Sequence, residues 1–424
     1  MKFTTSLKTG AFRWACPFVL LLTLFYYFAG QSTPLSAYHG YAPALVASPL
    51  MTLYALAYAV AAGLGAWESG RLKSARVWNL APTRSRYAIA CNVLIPIALL
   101  SWLVLIVPIS LSLIRAETLP TVDSMKLPIM AMILCVAHSA IGFSIGLLGP
   151  QVITAPITAV ATWVLVAFSR AVQPYWIRHV SGQYADLSFG EAPSMTSLLV
   201  PVLFGAGIAS AAVLLWLPTY KTGIKVVLAL SVGTALTFSA YNIARSWPHD
   251  PPLVTGNISM ECLGDTPEVC MPKETSAALA KLQQEASAAL GKLRDNDVVK
   301  TPELITDSFA EGRTARPSTD RVWRLNLTSA AEQHDLTFRI AASVVRFPCE
   351  NVNIIASHSA LRWATSVTGS DEQYAARISQ EGQDPGSLQR EKQVTKIVAT
   401  VRRLPAKEQG QWFKANLTAG CQGA

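Results

Sequence analysis

Seven apolar stretches dominate the first 245 residues and constrain the fold more than any other feature. A bilayer core of roughly 30 Å needs about 20 consecutive apolar residues per helix. The runs at 15–30, 43–67, 87–114, 127–148, 152–169, 197–217 and 226–244 meet that requirement. Residues 246–424 show no such run and read as an ordinary water-exposed domain. The expected fold class is therefore an α-helical polytopic membrane protein of about seven transmembrane helices, with a C-terminal α+β extracytoplasmic domain. The expected domains are 1–245 and 246–424.

Charge divides at the same place. The first part carries 15 Lys and Arg against 5 Asp and Glu; the remainder carries 20 against 21. The overall charge of +9 thus belongs to loops between helices, which argues against nucleic acid as a partner. Orientation follows from where those cations fall. With the N-terminus inside, the inner segments hold ten Lys and Arg, among them Lys2, Lys8, Arg13, Arg71, Lys73 and Arg76. The outer segments hold five: Arg115, Lys126, Arg170, Arg178 and Arg245. An odd number of spans then carries the C-terminal domain outside. The first run resembles a signal peptide, but Phe28 sits where a cleavage site needs a small residue, so it reads as a retained anchor. Trp14, Trp67, Trp176 and Trp247 fall near helix ends, as interfacial anchors do. The expected location is a cell membrane, multi-pass, with lipids as neighbours.

The seven cysteines divide likewise. Cys16, Cys91 and Cys135 lie within spans, where a thiol is a small apolar side chain. Cys262, Cys270, Cys349 and Cys421 lie in the domain placed outside, the pattern of a disulfide framework. Three pairings are allowed; a local Cys262–Cys270 loop and a long Cys349–Cys421 closure are favoured. Zinc is the rival reading, but no His lies beside the cysteines and the spacing is not that of a zinc knuckle. No metal and no cofactor is expected. In the same domain 274–294 reads as a helix, 322–327 and 336–345 as strands, and 391–404 and 408–417 as closing helices. Asn257, Asn326 and Asn416 begin Asn-x-Ser/Thr triplets, which are too short to identify a host.

Catalytic signatures are scarce. There is no phosphate-cradling Gly-rich loop ending in Gly-Lys-Ser/Thr, and no His-Glu-x-x-His. Gly142-Phe-Ser-Ile-Gly146 matches the Gly-x-Ser-x-Gly string, but it lies inside an apolar helix. His138, six residues before Ser144, lies about 240° around that helix and cannot serve it as a base. Gly142 and Gly146 therefore read as a helix-packing notch. His138 and Asn92 are candidates for an intramembrane polar site, although each can equally serve a helix interface. In the 170–196 connection, Arg170, Arg178, His179, Asp186 and Glu191 read as ordinary solvated loop residues.

The segment Trp67-Glu68-Ser69-Gly70-Arg71-Leu72-Lys73-Ser74-Ala75-Arg76-Val77-Trp78-Asn79-Leu80-Ala81-Pro82 is the most basic inner loop. It suits a short surface helix, serving either as a lipid-headgroup anchor or as a docking element for a cytoplasmic protein. This segment, with Cys262-x7-Cys270-Met271-Pro272 and Leu404-Pro-Ala-Lys-Glu-Gln-Gly-Gln-Trp412, resembles permease subunits of actinobacterial type-2 ABC exporters and permease-associated proteins with an extracytoplasmic tail. Such permeases typically have six spans; this chain adds one span and a large tail. The resemblance implies a bacterial cell membrane and a non-enzymatic permease subunit coupled through loop 68–86 to a separate cytoplasmic ATP-binding subunit, with a second permease copy or homologue as a further partner. Trp67, Glu68, Arg71 and Trp78 would make the docking contacts. A membrane-anchored sensor or binding protein, with its outer domain recognising a ligand, is the alternative.

Overall fold

The computed structural model describes residues 10–30, 33–79, 85–184, 186–217, 221–255, 258–298, 300–314, 316–349, 351–381 and 385–421. The chain divides into two compact units, Met1–Thr255 and Gly256–Ala424. Lys2, Lys8, Leu80, Ala81, Pro82, Arg84 and Asn257 lie outside the described residues.

Among the described residues of the first unit, seven helices are long and apolar enough to cross a membrane. They are α1 (Phe12–Ala29), α2 (Ala42–Ser74), α3 (Arg86–Arg115), α4 (Val122–Gly146), α5 (Gln151–Phe168), α7 (Met195–Leu214) and α8 (Thr222–Ala244). A short helix, α6 (Trp176–Val180), lies between α5 and α7. The central element is α2, packed by α1, α3, α4 and α5. Small residues let it be central, because without a hydrophobic drive between helices in lipid, close backbone approach must hold them together. A Cβ at Gly142 would overlap the Ala62 carbonyl, and one at Gly146 would overlap Ala66 and Ser69. The interface of α4 with α2 is thus a backbone-to-backbone contact. Strand β1 (Glu191–Pro193) pairs antiparallel with β2 (Leu253–Thr255), which carries the first unit eleven residues beyond Ala244, the end of the last apolar run.

The second unit is α+β, as a sequence of mixed periodicity suggests. Its sheet runs in the order β3 (Met260–Leu263), β4 (Glu268–Pro272), β5 (Leu304–Asp307), β6 (Val322–Leu325). The first pair is antiparallel, and the next two are parallel. Helix α9 (Leu279–Asp295) connects β4 to β5 and turns Leu282, Ala286, Leu290 and Leu293 inward, the three- and four-residue spacing expected of it. After β6 come α10 (Leu327–Gln333), α11 (Leu336–Val344), α12 (Ile354–Thr368), α13 (Asp371–Glu381), α14 (Pro385–Val401) and α15 (Ala406–Ala419). The 336–345 segment, read as a strand from its alternating Leu336, Phe338 and Ile340, is a helix instead. Leu336, Ile340 and Ala341 satisfy helical spacing too, and packing against α9 and α12 decides between the two periods. The Asp335–Arg339 ion pair at 2.7 Å, one turn apart, supports the same choice.

Both disulfides are those favoured from the sequence. Cys262 and Cys270 are register partners across the β3–β4 hairpin. Cys349 and Cys421 close a 72-residue separation and hold the end of α15 against the start of α12. Asn353 N–H donates to the Gly420 carbonyl at 2.9 Å in the same place. Trp363, fully buried, anchors the core against Phe413 and donates its indole N–H to Gln409 at 3.1 Å.

Candidate functional site

The connection between α5 and α7 is not a solvated loop. Arg178, His179, Gln183, Tyr184, Leu187 and Glu191 are all buried, which corrects the reading of this stretch as surface. The segment folds back among the long helices. Gly182 offers its carbonyl to the Tyr58 hydroxyl at 3.1 Å, and Tyr58 is the midpoint of the 33-residue α2. Gly182 itself has a φ of +73° and sits against Leu134 and Tyr58, where a side chain would collide. The Gln183 amide donates to the Met51 carbonyl at 3.2 Å, and the Tyr184 and Ser197 hydroxyls bond at 2.8 Å. Arg178 donates to the His249 carbonyl and His179 to the Pro248 carbonyl, each at 2.9 Å, so the stretch after α8 is pinned to α6. Irregular backbone at membrane depth is tolerated only where protein satisfies its polar groups or where it lines a cavity. The folded-back segment here finds protein partners in Tyr58 and Met51.

The cavity lies beside it. It has a volume of about 400 Å³ and is walled by α4, α5, α7 and Val180-Ser181 of the folded-back segment. His138 lines it, stacked on the Tyr58 ring at 4.7 Å between centroids and 6° between planes. Asn92, the other polar residue expected within a span, does not line this cavity; its amide donates to Ala88 on its own helix at 2.7 Å. Ser144 likewise donates to Ala140 at 2.9 Å, and His138 faces the Leu134 carbonyl at 2.8 Å. No nucleophile–base pair is assembled from them.

The segment expected to dock a partner is built differently from a surface loop. Helix α2 continues through it without a break to Ser74, followed by a short 3-10 turn at Val77–Asn79. Trp67 meets Trp14 edge to face at 5.7 Å. Glu68 is buried, accepts from the Ala11 N–H at 2.5 Å and pairs with Arg71 at 2.7 Å. The Glu68 carboxylate therefore serves the start of α1 and its own helix. Lys73, Ser74, Ala75 and Arg76 are the exposed residues of this end, with Lys73 donating to the Leu147 carbonyl at 2.8 Å. Trp78 and Arg86 line a cavity of about 280 Å³ with Phe143 and Trp216.

In the second unit, α12, α13 and α14 enclose a polar cavity of about 340 Å³. Arg362 and Glu391 form an ion pair in its wall, the Tyr374 hydroxyl donates to Glu391 at 3.1 Å, and Arg362 lies over the Tyr374 ring at 5.5 Å. Elsewhere in that unit, Cys262, Glu268 and Cys270 have the separations of metal ligands, but the two sulfurs are bonded to one another and offer no thiolate.

Neither the folded-back segment nor the polar cavity carries a signal in the linear sequence, because each is assembled from residues far apart in the chain. The cluster of Gly182, Tyr184 and Pro193 between two apolar runs is the nearest hint. Residues 269–421 match a family model described as a domain of unknown function, DUF7224. The match begins within β4 and ends at Cys421, so it includes the long disulfide and the polar cavity. No curated protein and no solved structure shows significant similarity to the chain.

Proposed function

We propose that the chain is the membrane-spanning permease subunit of an ATP-driven exporter of the type-2 ABC class, powered by a separate cytoplasmic ATP-binding subunit. The observation that carries this reading is the connection between α5 and α7, whose Gly182 reaches the midpoint of α2 beside a cavity between helices. Broken or re-entrant backbone at that depth is a device of transport proteins, where it lines a path through the bilayer. A bundle that only anchored an outer domain would have no need to fold such backbone inward. The chain itself has no nucleotide-binding loop, so hydrolysis belongs to the partner. Coupling is assigned to the end of α2 and the turn that follows, where Lys73–Arg76 are exposed on a rigid 33-residue helix. ATP-driven closure of the partner would move α2, and α2 would carry the displacement to α4 and α5, its closest neighbours. The two disulfides support an extracytoplasmic second unit, and an odd number of spans then favours a cytoplasmic N-terminus.

The test is purification of the intact chain in mild detergent from its native membrane. An ATP-binding subunit should co-purify in fixed ratio, and its hydrolysis rate should change when the chain is present. If no ATPase accompanies the chain under gentle extraction and crosslinking, the exporter reading fails. A second reading, a membrane-anchored binding protein, is favoured by one observation: the Arg362–Tyr374–Glu391 cavity in the unit matched by the family model. It predicts ligand binding by that unit and no dependence on ATP.

A further inference from the structure

We infer that the cavity between α4, α5 and α7 binds an uncharged amphiphile that brings its own hydrogen-bond donors, an alcohol or an amide on an apolar body dissolved in the bilayer.

The polar side chains in the walls are His138, Thr158, Thr162 and Ser181, and all but the Thr162 hydroxyl have their hydrogens committed. His138 Nδ1 faces the Leu134 carbonyl at 2.8 Å. A carbonyl only accepts, so Nδ1 carries the hydrogen, and Nε2 of the neutral ring is an acceptor. No described residue donates to Nε2. Thr158 gives its hydroxyl hydrogen to Thr154 at 2.7 Å, and Ser181 gives its own to Ile177 at 2.6 Å. What these three side chains have left to offer is lone pairs. A ligand seated against them must supply O–H or N–H groups, and one with acceptors alone would leave them unsatisfied.

Charge is excluded by the same walls. Neither a carboxylate nor a Lys or Arg lines the cavity. An ion there would lose its hydration without gaining a counter-charge, which is prohibitive at membrane depth. The rest of the lining is aliphatic or aromatic, and the volume of about 400 Å³ falls in the range of small-molecule sites. Ile157, Leu165 and Ile208 of the lining are exposed on the side of the bundle, so the mouth opens laterally toward lipid. Entry from the bilayer suits a molecule that partitions there. The folded-back segment supplies one wall through Val180 and Ser181.

This inference extends the exporter reading by naming the class of its cargo, and it is tested without ATP or any partner. The intact chain is reconstituted in phosphatidylcholine nanodiscs and labelled with a diazirine-bearing dodecanol. Controls are a diazirine-bearing dodecane and a diazirine-bearing dodecyl trimethylammonium. The alcohol should label peptides of α4, α5 and α7 around the cavity, in competition with unlabelled dodecanol; the alkane and the cation should label them weakly. His138→Phe keeps a ring to stack on Tyr58 and removes the acceptor, and should lower alcohol labelling about two- to tenfold, the range of one hydrogen bond. His138→Gln keeps an acceptor and should retain most of it. Ile208→Trp, at the lipid-facing mouth, should block labelling without touching the polar wall, and serves if the His138 variants do not fold. Equal labelling by alcohol and alkane, or alcohol labelling unchanged in His138→Phe and Ile208→Trp, overturns the assignment. Specific labelling in a chain that recruits no ATPase would leave this site standing and overturn the exporter reading alone.

Discussion

Two carboxylates of opposite circumstance show how much a single residue contributes. Glu68 is buried at the start of the bundle and holds both the Ala11 N–H and Arg71. Arg71→Ala should therefore destabilise the chain by about 1–3 kcal/mol, since it strips a buried acceptor of a partner. Glu68→Gln combined with Arg71→Ala should recover part of that loss. Thermal unfolding of the purified chain in detergent measures both, and equal stability of Arg71→Ala and wild type would contradict the pairing. Glu311, in the second unit, is affected by burial, which raises its pKa, but the Arg316 N–H, the Arg316 guanidinium and Arg324 together outweigh it and hold the carboxyl below its ordinary value. Below the ordinary glutamate pKa of about 4.3 the unfolded chain takes up a proton that the folded one resists. The stability Glu311 contributes is thus complete above that pH and is lost as pH falls through its depressed folded value. Glu311→Gln should melt lower than wild type at pH 6, and the gap should narrow on acidification. A gap independent of pH would show that the charge is not what these arginines hold. Asp307 in the same unit shows the reverse: burial raises its carboxyl in spite of donors from Thr328, Phe309 and Leu327.

At the scale of elements, the α2–α4 contact and the long disulfide hold the two units by different means. The first is steric. Gly142→Leu would drive a side chain into the Ala62 backbone, and overpacking of this kind costs about 1–3 kcal/mol where a neighbour can yield. Backbone cannot, so loss of monodisperse protein on gel filtration is the expected outcome, while the same change at exposed Gly223 should be silent. The second is a chain constraint. Replacing Cys349 and Cys421 by Ser should cost about 2–4 kcal/mol and expose α15 to proteolysis, with the β3–β4 hairpin unaffected. Unchanged protease resistance would mean that Trp363, Phe413 and the Asn353–Gly420 bond suffice. The apolar runs and the α9 periodicity were legible because each reports on a continuous stretch of chain. The 336–344 helix was not, since Leu336, Phe338 and Ile340 fit two periods and only neighbours on α9 and α12 choose between them.

For the whole molecule, the cation bias and the oxidised cysteines both favour the proposed arrangement, with the N-terminus in the cytoplasm and the second unit outside. An impermeant amine reagent applied to intact cells should reach exposed Lys281 and Lys392 of the second unit and spare the 68–86 segment. The opposite pattern would invert the topology and remove the basis for cytoplasmic coupling. Coupling itself is best probed at Arg76, exposed at the end of α2, because Glu68 and Arg71 serve the fold. Arg76→Glu should slow association with the proposed ATP-binding subunit by about tenfold or more, with thermal stability unchanged. Association at the wild-type rate would move the docking surface elsewhere. Run length and hydropathy alone determined that seven helices could span a bilayer, and the separation of cysteines from apolar runs alone determined which four would pair. Both are local properties: the cost of leaving water is summed along a stretch of chain, and a disulfide here needs only an oxidising side and nearby partners. The depth of Gly182 and the stacking of His138 on Tyr58 were decided only by tertiary structure. Such features depend on which side chains converge from α2, α4 and the folded-back segment, and convergence across 80 residues (Tyr58 to His138) or 124 (Tyr58 to Gly182) leaves no periodic trace in the chain.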